Sequence, residues 1–118
     1  MRTNNEVGKY GEDLVAQLLE RAGWQVVVRN WRCEDGELDL VGWDGDALVG
    51  VEVKTRRGSG FGAPVEAVTP AKAARLRRLL MRWMRDHDVH ARDVRIDVVG
   101  VLIRPGGQPI VEHIRSAC

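Results

Sequence analysis

The chain has 118 residues, 44% of them hydrophobic and 30% charged, a composition that fits one soluble domain with a real core and excludes two. No apolar run approaches the roughly 20 residues of a membrane span, and Met1 to Asn5 lacks the apolar core of a signal peptide, so a cytoplasmic location is expected. The formal net charge of +1 hides an asymmetry: residues 1–53 carry five Lys/Arg against eleven Asp/Glu, residues 54–85 nine against one, and the remainder four against five. A basic block after an acidic half points to a polyanionic partner.

Val7, Leu14, Val15, Leu18 and Ala22 recur at helical spacing and predict a first helix from about Asn5 to Ala22, stopped by Gly23. Glu12 lies at the border of that apolar stripe, where its carboxylate can turn towards a sheet. Trp24 to Trp31 alternates, with Trp24, Val26 and Val28 on one side, and predicts a strand that turns over Arg32 to Gly36. Glu37 to Val41 and Leu48 to Lys54 predict two more strands, joined by the hairpin signal Trp43-Asp44-Gly45-Asp46. Cys33 in the first turn and Cys118 at the C-terminus form neither a disulfide framework nor a zinc ligand set, so a reduced pair of thiols is expected.

Arg56 to Pro70 is rich in Gly and Pro and reads as a mobile loop. Thr69 as N-cap and Pro70 at the first helical position open a second helix to about His87. Its buried stripe is Ala73, Leu76, Leu80, Trp83 and Met84, and Arg75, Arg78, Arg82 and Arg85 share the opposite face with no interleaved acid. Val94 to Ile103 is an almost continuous apolar strand interrupted by Asp97, and Ile110 to Arg115 is the last. Three meandering strands, a crossover helix and two strands predict an α/β fold with a mixed five-stranded sheet flanked by helices, the crossover joining parallel strands.

Asp39, Glu52 and Lys54 are out of place in strands that otherwise read as buried, because such charges cost several kcal/mol unless they are paired or hold a metal. Strand periodicity puts Glu52 and Lys54 on one face. Magnesium takes one or two carboxylates with water and phosphate completing the shell, which Asp39 and Glu52 can supply together with the Val53 carbonyl. Lys54 can orient or activate a water or stabilise developing negative charge. The arginines of the second helix, with Lys72, Arg56 and Arg57, are candidates for gripping a phosphate backbone, a contact that gives affinity with little sequence preference. Asp97 is expected to make a structural hydrogen bond or ion pair. His87, His90 and His113 are expected at the surface, and Trp43 in its turn is the tryptophan best placed to stack on a base.

The ordered set Gly11-Glu12, Gly36-Glu37-Leu38-Asp39-Leu40, Val51-Glu52-Val53-Lys54-Thr55-Arg56 and Arg95-Ile96-Asp97-Val98-Val99 resembles the YraN-like family of small bacterial proteins, over essentially the whole chain. That family is similar to archaeal Holliday junction resolvases and to the wider PD-(D/E)XK nuclease superfamily. The resemblance implies a restriction-endonuclease-like fold and a Mg²⁺- or Mn²⁺-dependent endonuclease acting on DNA, including branched DNA. It implies Asp39 as the first acidic residue, Glu52 and Lys54 as the second motif and Glu12 as the helix-borne carboxylate; a homodimer would suit a twofold junction. Two departures stand out: Leu38 replaces the proline of the superfamily label, and Gly50 stands where a bulky strand residue is expected. Two other classes remain open: a non-catalytic nucleic-acid-binding protein that keeps the nuclease fold, and a module whose basic helix meets an acidic protein.

Overall fold

In the computed structural model, which describes residues 4–58 and 68–117, the chain runs α1 (Asn4–Arg21), β1 (Gln25–Cys33), β2 (Gly36–Asp44), β3 (Ala47–Arg57), α2 (Pro70–Asp86), β4 (Asp93–Ile103) and β5 (Ile110–Ile114). The strands form one mixed sheet in the order β1-β2-β3-β4-β5. β3 and β4 are parallel and every other neighbouring pair is antiparallel. This is the predicted α/β architecture, consistent with a restriction-endonuclease-like fold. The predicted loop centred on Gly58-Ser59-Gly60-Phe61-Gly62 falls largely outside the described residues, as does Cys118. Arg56 and Arg57, expected to begin that loop, instead extend β3 opposite Leu102 and Ile103. No helix among the described residues is long and apolar enough to cross a membrane.

Each face of the sheet buries one helix. α1 sets Val15, Ala16 and Leu19 against Leu40, Val49, Val51, Val99 and Val101, while α2 sets Leu76, Leu79, Leu80, Trp83 and Met84 against Leu38, Val41, Leu48 and Ile96. The apolar stripe of α1 differs from the predicted one: Leu18 is exposed and Ala16 and Leu19 take its place. Gly11 explains the rotation, because a Cβ there would lie 1.8 Å from Thr55 Oγ1. The helix therefore presses its backbone on β3 at Gly11, and the residues one and two turns further on follow it inward.

Gly50 has a similar role on the other face. A Cβ at this position would meet Ile96 Cδ1 at 3.0 Å and Leu80 Cδ2 at 3.5 Å, so the missing side chain is replaced by its neighbours and the strand is not weakly packed there. α2 begins as predicted: Thr69 caps the helix by accepting the Lys72 N–H at 3.1 Å, and Pro70 follows.

Two irregularities redirect the side chains of β1 and β2. The β1 register shifts between Val26 and Val28, so Val26 packs under α1 and Val28 under α2 rather than on one side. Asn30 adopts a positive φ of 54°, between the residues that pair with Leu38 and Leu40. Leu38 and Leu40, which strict alternation would place on one face, pack in different layers. The strand turns about its own axis at Asp39.

Candidate active site

The twist at Asp39 coincides with the end of the β2–β3 ladder, whose last pair is Leu40 with Val51. Beyond it the Val53 amide faces no β2 carbonyl, and Asp39 Oδ2 accepts that N–H at 2.8 Å. A buried amide needs a partner, and here a side chain takes the place of the next rung. The same geometry draws Asp39 against the strand that carries Glu52.

Asp39 is 8% exposed. Burial and then the negative charge of Glu52, with smaller contributions from Glu12 and Glu37, raise its carboxyl to about 7 against the opposing Val53 N–H. Asp39 therefore feels three carboxylates from α1, β2 and β3. Glu12 is half-buried beside Gly11, so the close approach of α1 to β3 is what brings this carboxylate to the site. Glu37 also pairs with Arg32 at 2.8 Å.

Glu52 and Lys54 project from the same strand face, as predicted, and their charged ends lie 3.5 Å apart. Lys72, expected among the phosphate-gripping residues, instead reaches Glu52 Oε1 at 3.2 Å from the first turn of α2. Two lysines thus meet one carboxylate oxygen. A hydrogen bond with the Lys72 amine and then burial hold Lys54 below the usual lysine range, while Lys72, sharing that bond, is held above it. The two amines are thus split, Lys54 giving up its proton more readily than Lys72.

Among the described residues no three His, Cys, Asp or Glu side chains are gathered into a ready metal cage. Asp39 and Glu52 do fit a hard divalent cation of the magnesium class, which is satisfied by one or two carboxylates. The raised Asp39 carboxyl marks negative charge held close together in a poorly hydrated place, which a cation there would relieve. The Val53 carbonyl is the third candidate donor on the chain.

The site opens into a cleft lined by Glu37, Glu52, Lys72, Arg75, Leu76 and Leu79. The arginine face of α2 lies next to it but is not free of acids: Arg82 binds Asp35 Oδ2 and Glu34 Oε1, each at 2.9 Å, and Asp86 at 3.6 Å. Arg75 donates to the Asp35 carbonyl at 3.0 Å. The β1–β2 turn supplies Glu34 and Asp35, which a helical wheel of α2 could not contain, while Asp86 is on α2 itself, one turn after Arg82. Arg78 and Arg85 are exposed and form no ion pair with another described residue.

Several expectations outside the site resolve differently. Asp97 is structural as expected: fully buried, it accepts from Arg95 Nε at 2.9 Å, from His113 at 2.8 Å and from the Ser116 N–H at 3.0 Å. His113 is consequently half-buried and lies against Trp24, with ring centroids 5.9 Å apart, rather than at the surface. Trp43 is in β2 opposite Leu48, packed under α2, and does not stand in a turn. The contact of Lys72 with Glu52 was not expected from the sequence; its one signal was the place of Lys72 in the first turn of the helix after the Glu52 strand.

Comparison with known proteins agrees with the resemblance in the motifs. The model of the uncharacterised protein family UPF0102 matches residues 11–101, a span containing Glu12, Asp39, Glu52, Lys54 and Lys72. The chain is 58% identical to a UPF0102 protein of Beutenbergia cavernae over 98% of each chain. It is 51% identical to one of Rhodococcus jostii over 99% of each, and 53% identical to one of Streptomyces griseus over 98% of each. By its motifs, its fold and these full-length matches, the chain belongs to the uncharacterised protein family UPF0102, the YraN family.

Proposed function

We propose that this protein is a metal-dependent endonuclease that cleaves phosphodiester bonds in DNA, branched DNA included, with Asp39, Glu52 and Lys54 at its centre. The observation that carries this is the meeting of Asp39 with the Glu52 strand: a buried carboxyl raised to about 7 beside a second carboxylate that holds two lysines. Carboxylates are crowded in this way where a cation is to be held, and hydrolysis of a phosphodiester requires positive charge around the phosphate.

Asp39 and Glu52, with the Val53 carbonyl, would hold Mg²⁺ or Mn²⁺. The bound ion would supply charge neutralisation at the phosphate and a lowered pKa for an attacking water. The residues of the chain do the rest. Glu12 holds negative charge on the α1 side of Asp39 and helps to orient the water. The Lys54 amine takes the proton of the water as its oxygen bonds to phosphorus, and the leaving oxygen departs with the P–O bonding pair and takes a proton from solvent. Lys72, which stays an ammonium, faces the phosphate oxygens. Arg56, Arg57 and the α2 arginines Arg75, Arg78, Arg82 and Arg85 grip the backbone on either side. A twofold junction would engage two copies of the chain, which sedimentation would detect.

The test is incubation with branched, duplex and single-stranded DNA in Mg²⁺ or Mn²⁺. Cleavage that disappears in Glu52→Gln is expected. No cleavage of any substrate, or equal cleavage by the variant, overturns the proposal. A non-catalytic nucleic-acid-binding protein is the rival, favoured by the pairing of Glu52 with its own lysines. It predicts that nucleic acid binds and that metal changes nothing.

A further inference from the structure

A second cleft among the described residues is larger than the one that contains Glu52. It runs along the outer face of α2, has a volume of about 1090 Å³, and is lined by Arg75, Arg77, Arg78, Arg82, Arg85 and Arg92 over an apolar floor. The floor includes Leu79, Ala91, Val94 and Met81, the last of these 52% exposed. Arg75 and Leu79 line both this cleft and the one that holds Glu52 and Lys72. The two are therefore adjacent, with Arg75 at their border, and Gly36 leaves room for its guanidinium: a Cβ there would lie 2.9 Å from Arg75 Nη2.

We propose that this arginine cleft holds an unpaired strand of nucleic acid that continues from the acid and lysine site, and that Glu34 and Asp35 occupy phosphate positions in it when it is empty. The proposal rests on the nuclease reading only for the placing of a phosphate at Glu52 and Lys72. The choice of a single strand follows from the floor. A duplex presents phosphate and sugar outward with its bases stacked inside, so it gains nothing from the exposed Met81. Unpaired bases can lie on that surface and under guanidinium planes while their phosphates meet the guanidinium edges. The turn residues supply the second observation: two carboxylate oxygens and one carbonyl are already seated on Arg82 and Arg75, at 2.9 to 3.0 Å. A phosphodiester offers the same forked acceptor geometry. Arg78, Arg85 and Arg92 form no ion pair with another described residue and need no release.

The experiment measures binding without cleavage: fluorescence anisotropy of labelled oligothymidylate, and of a duplex of equal length, with the full chain in EDTA over a series of salt concentrations. The single strand should bind more tightly than the duplex. Arg78→Ala/Arg85→Ala should make the slope of log K against log salt shallower by about 1.4, since each phosphate contact on a single strand contributes about 0.7. Glu34→Gln/Asp35→Asn should bind more tightly and steepen the slope by up to about 0.7, because Arg82 then keeps only its 3.6 Å contact with Asp86. All four positions are solvent-facing, and circular dichroism of each variant confirms that it folds. Duplex binding as tight as single-strand binding overturns the proposal, as does a slope unchanged in the arginine variant or weaker binding by the turn variant. Equal binding of polyglutamate at the same salt overturns it in favour of an acidic protein partner. Single-strand binding in this pattern by a chain that cuts no DNA supports the cleft while removing the nuclease reading, so the two fail separately.

Discussion

Asp39 and Val53 are joined across two strands that have stopped pairing: the carboxylate of one accepts the amide of the other at 2.8 Å, two residues beyond the last rung at Leu40 and Val51. This bond closes the end of the ladder and fixes where a buried charge sits relative to Glu52. It also gives the protein a specific pH dependence. The folded Asp39 carboxyl titrates at about 7 against an ordinary 3.8, so between those values the folded state holds a proton that the unfolded chain has lost. Stability from this group is therefore greatest at the acid end and falls as pH rises through 7. In metal-free urea unfolding, Asp39→Asn should be more stable than the parent by about 1 to 3 kcal/mol near pH 8 and little changed near pH 4. An equal difference at both pH values would contradict the geometry.

Metal binding can be read apart from catalysis. Magnesium should raise the melting temperature of the parent chain, and Asp39→Asn and Glu52→Gln should each abolish the rise. In the cleavage assay the same variants should lose at least about a hundredfold in rate, the equivalent of a few kcal/mol of transition-state stabilisation. Addition of EDTA should have the same effect on the parent. A magnesium shift that survives both substitutions would place the metal elsewhere.

Gly11 and Thr55 define how closely α1 approaches the sheet. Gly11→Ala puts a methyl group within 1.8 Å of Thr55 Oγ1 and should cost about 3 kcal/mol, because the helix must move off its seat. Thr55→Ala should cost less than about 1 kcal/mol, since the hydroxyl it removes is buried without a hydrogen-bond partner among the described residues. Chemical unfolding of the two variants checks the contrast. Gly11→Ala should also weaken cleavage by displacing Glu12.

Asp97 lies in a different polar network, remote in role from the site. Its carboxylate takes bonds from Arg95, His113 and the Ser116 amide, and Arg95 bridges on to Asp44 at 2.7 Å. Asp97→Ala leaves Arg95 with Asp44 alone and takes the shared acceptor from His113 and the Ser116 amide, and should destabilise the fold by about 3 to 5 kcal/mol. Calorimetry should show the loss, and the magnesium-dependent shift of the surviving folded protein should persist.

The sequence determined the elements, because periodicity, caps and turn residues act over a few neighbours: the α2 start at Thr69-Pro70 and the three-strand meander are local facts. It also placed Glu52 and Lys54 on one face, since both belong to one strand. What it could not hold were relations between elements. The rotation of β2 at Asp39 depends on a kink in the neighbouring strand at Asn30. The stripe of α1 depends on what Gly11 touches, and Gly50, a blemish in a strand read by itself, is filled by Leu80 and Ile96. On the arginine face, Arg82 acquired Asp35 and Glu34 from a turn 47 and 48 residues earlier in the chain. Lys72 joined Glu52 because the crossover from β3 to β4 brings the first turn of α2 back over the strand that carries the carboxylate. Packing decided these, since side chains compete for space and for charge only after the sheet and its two helices have come together.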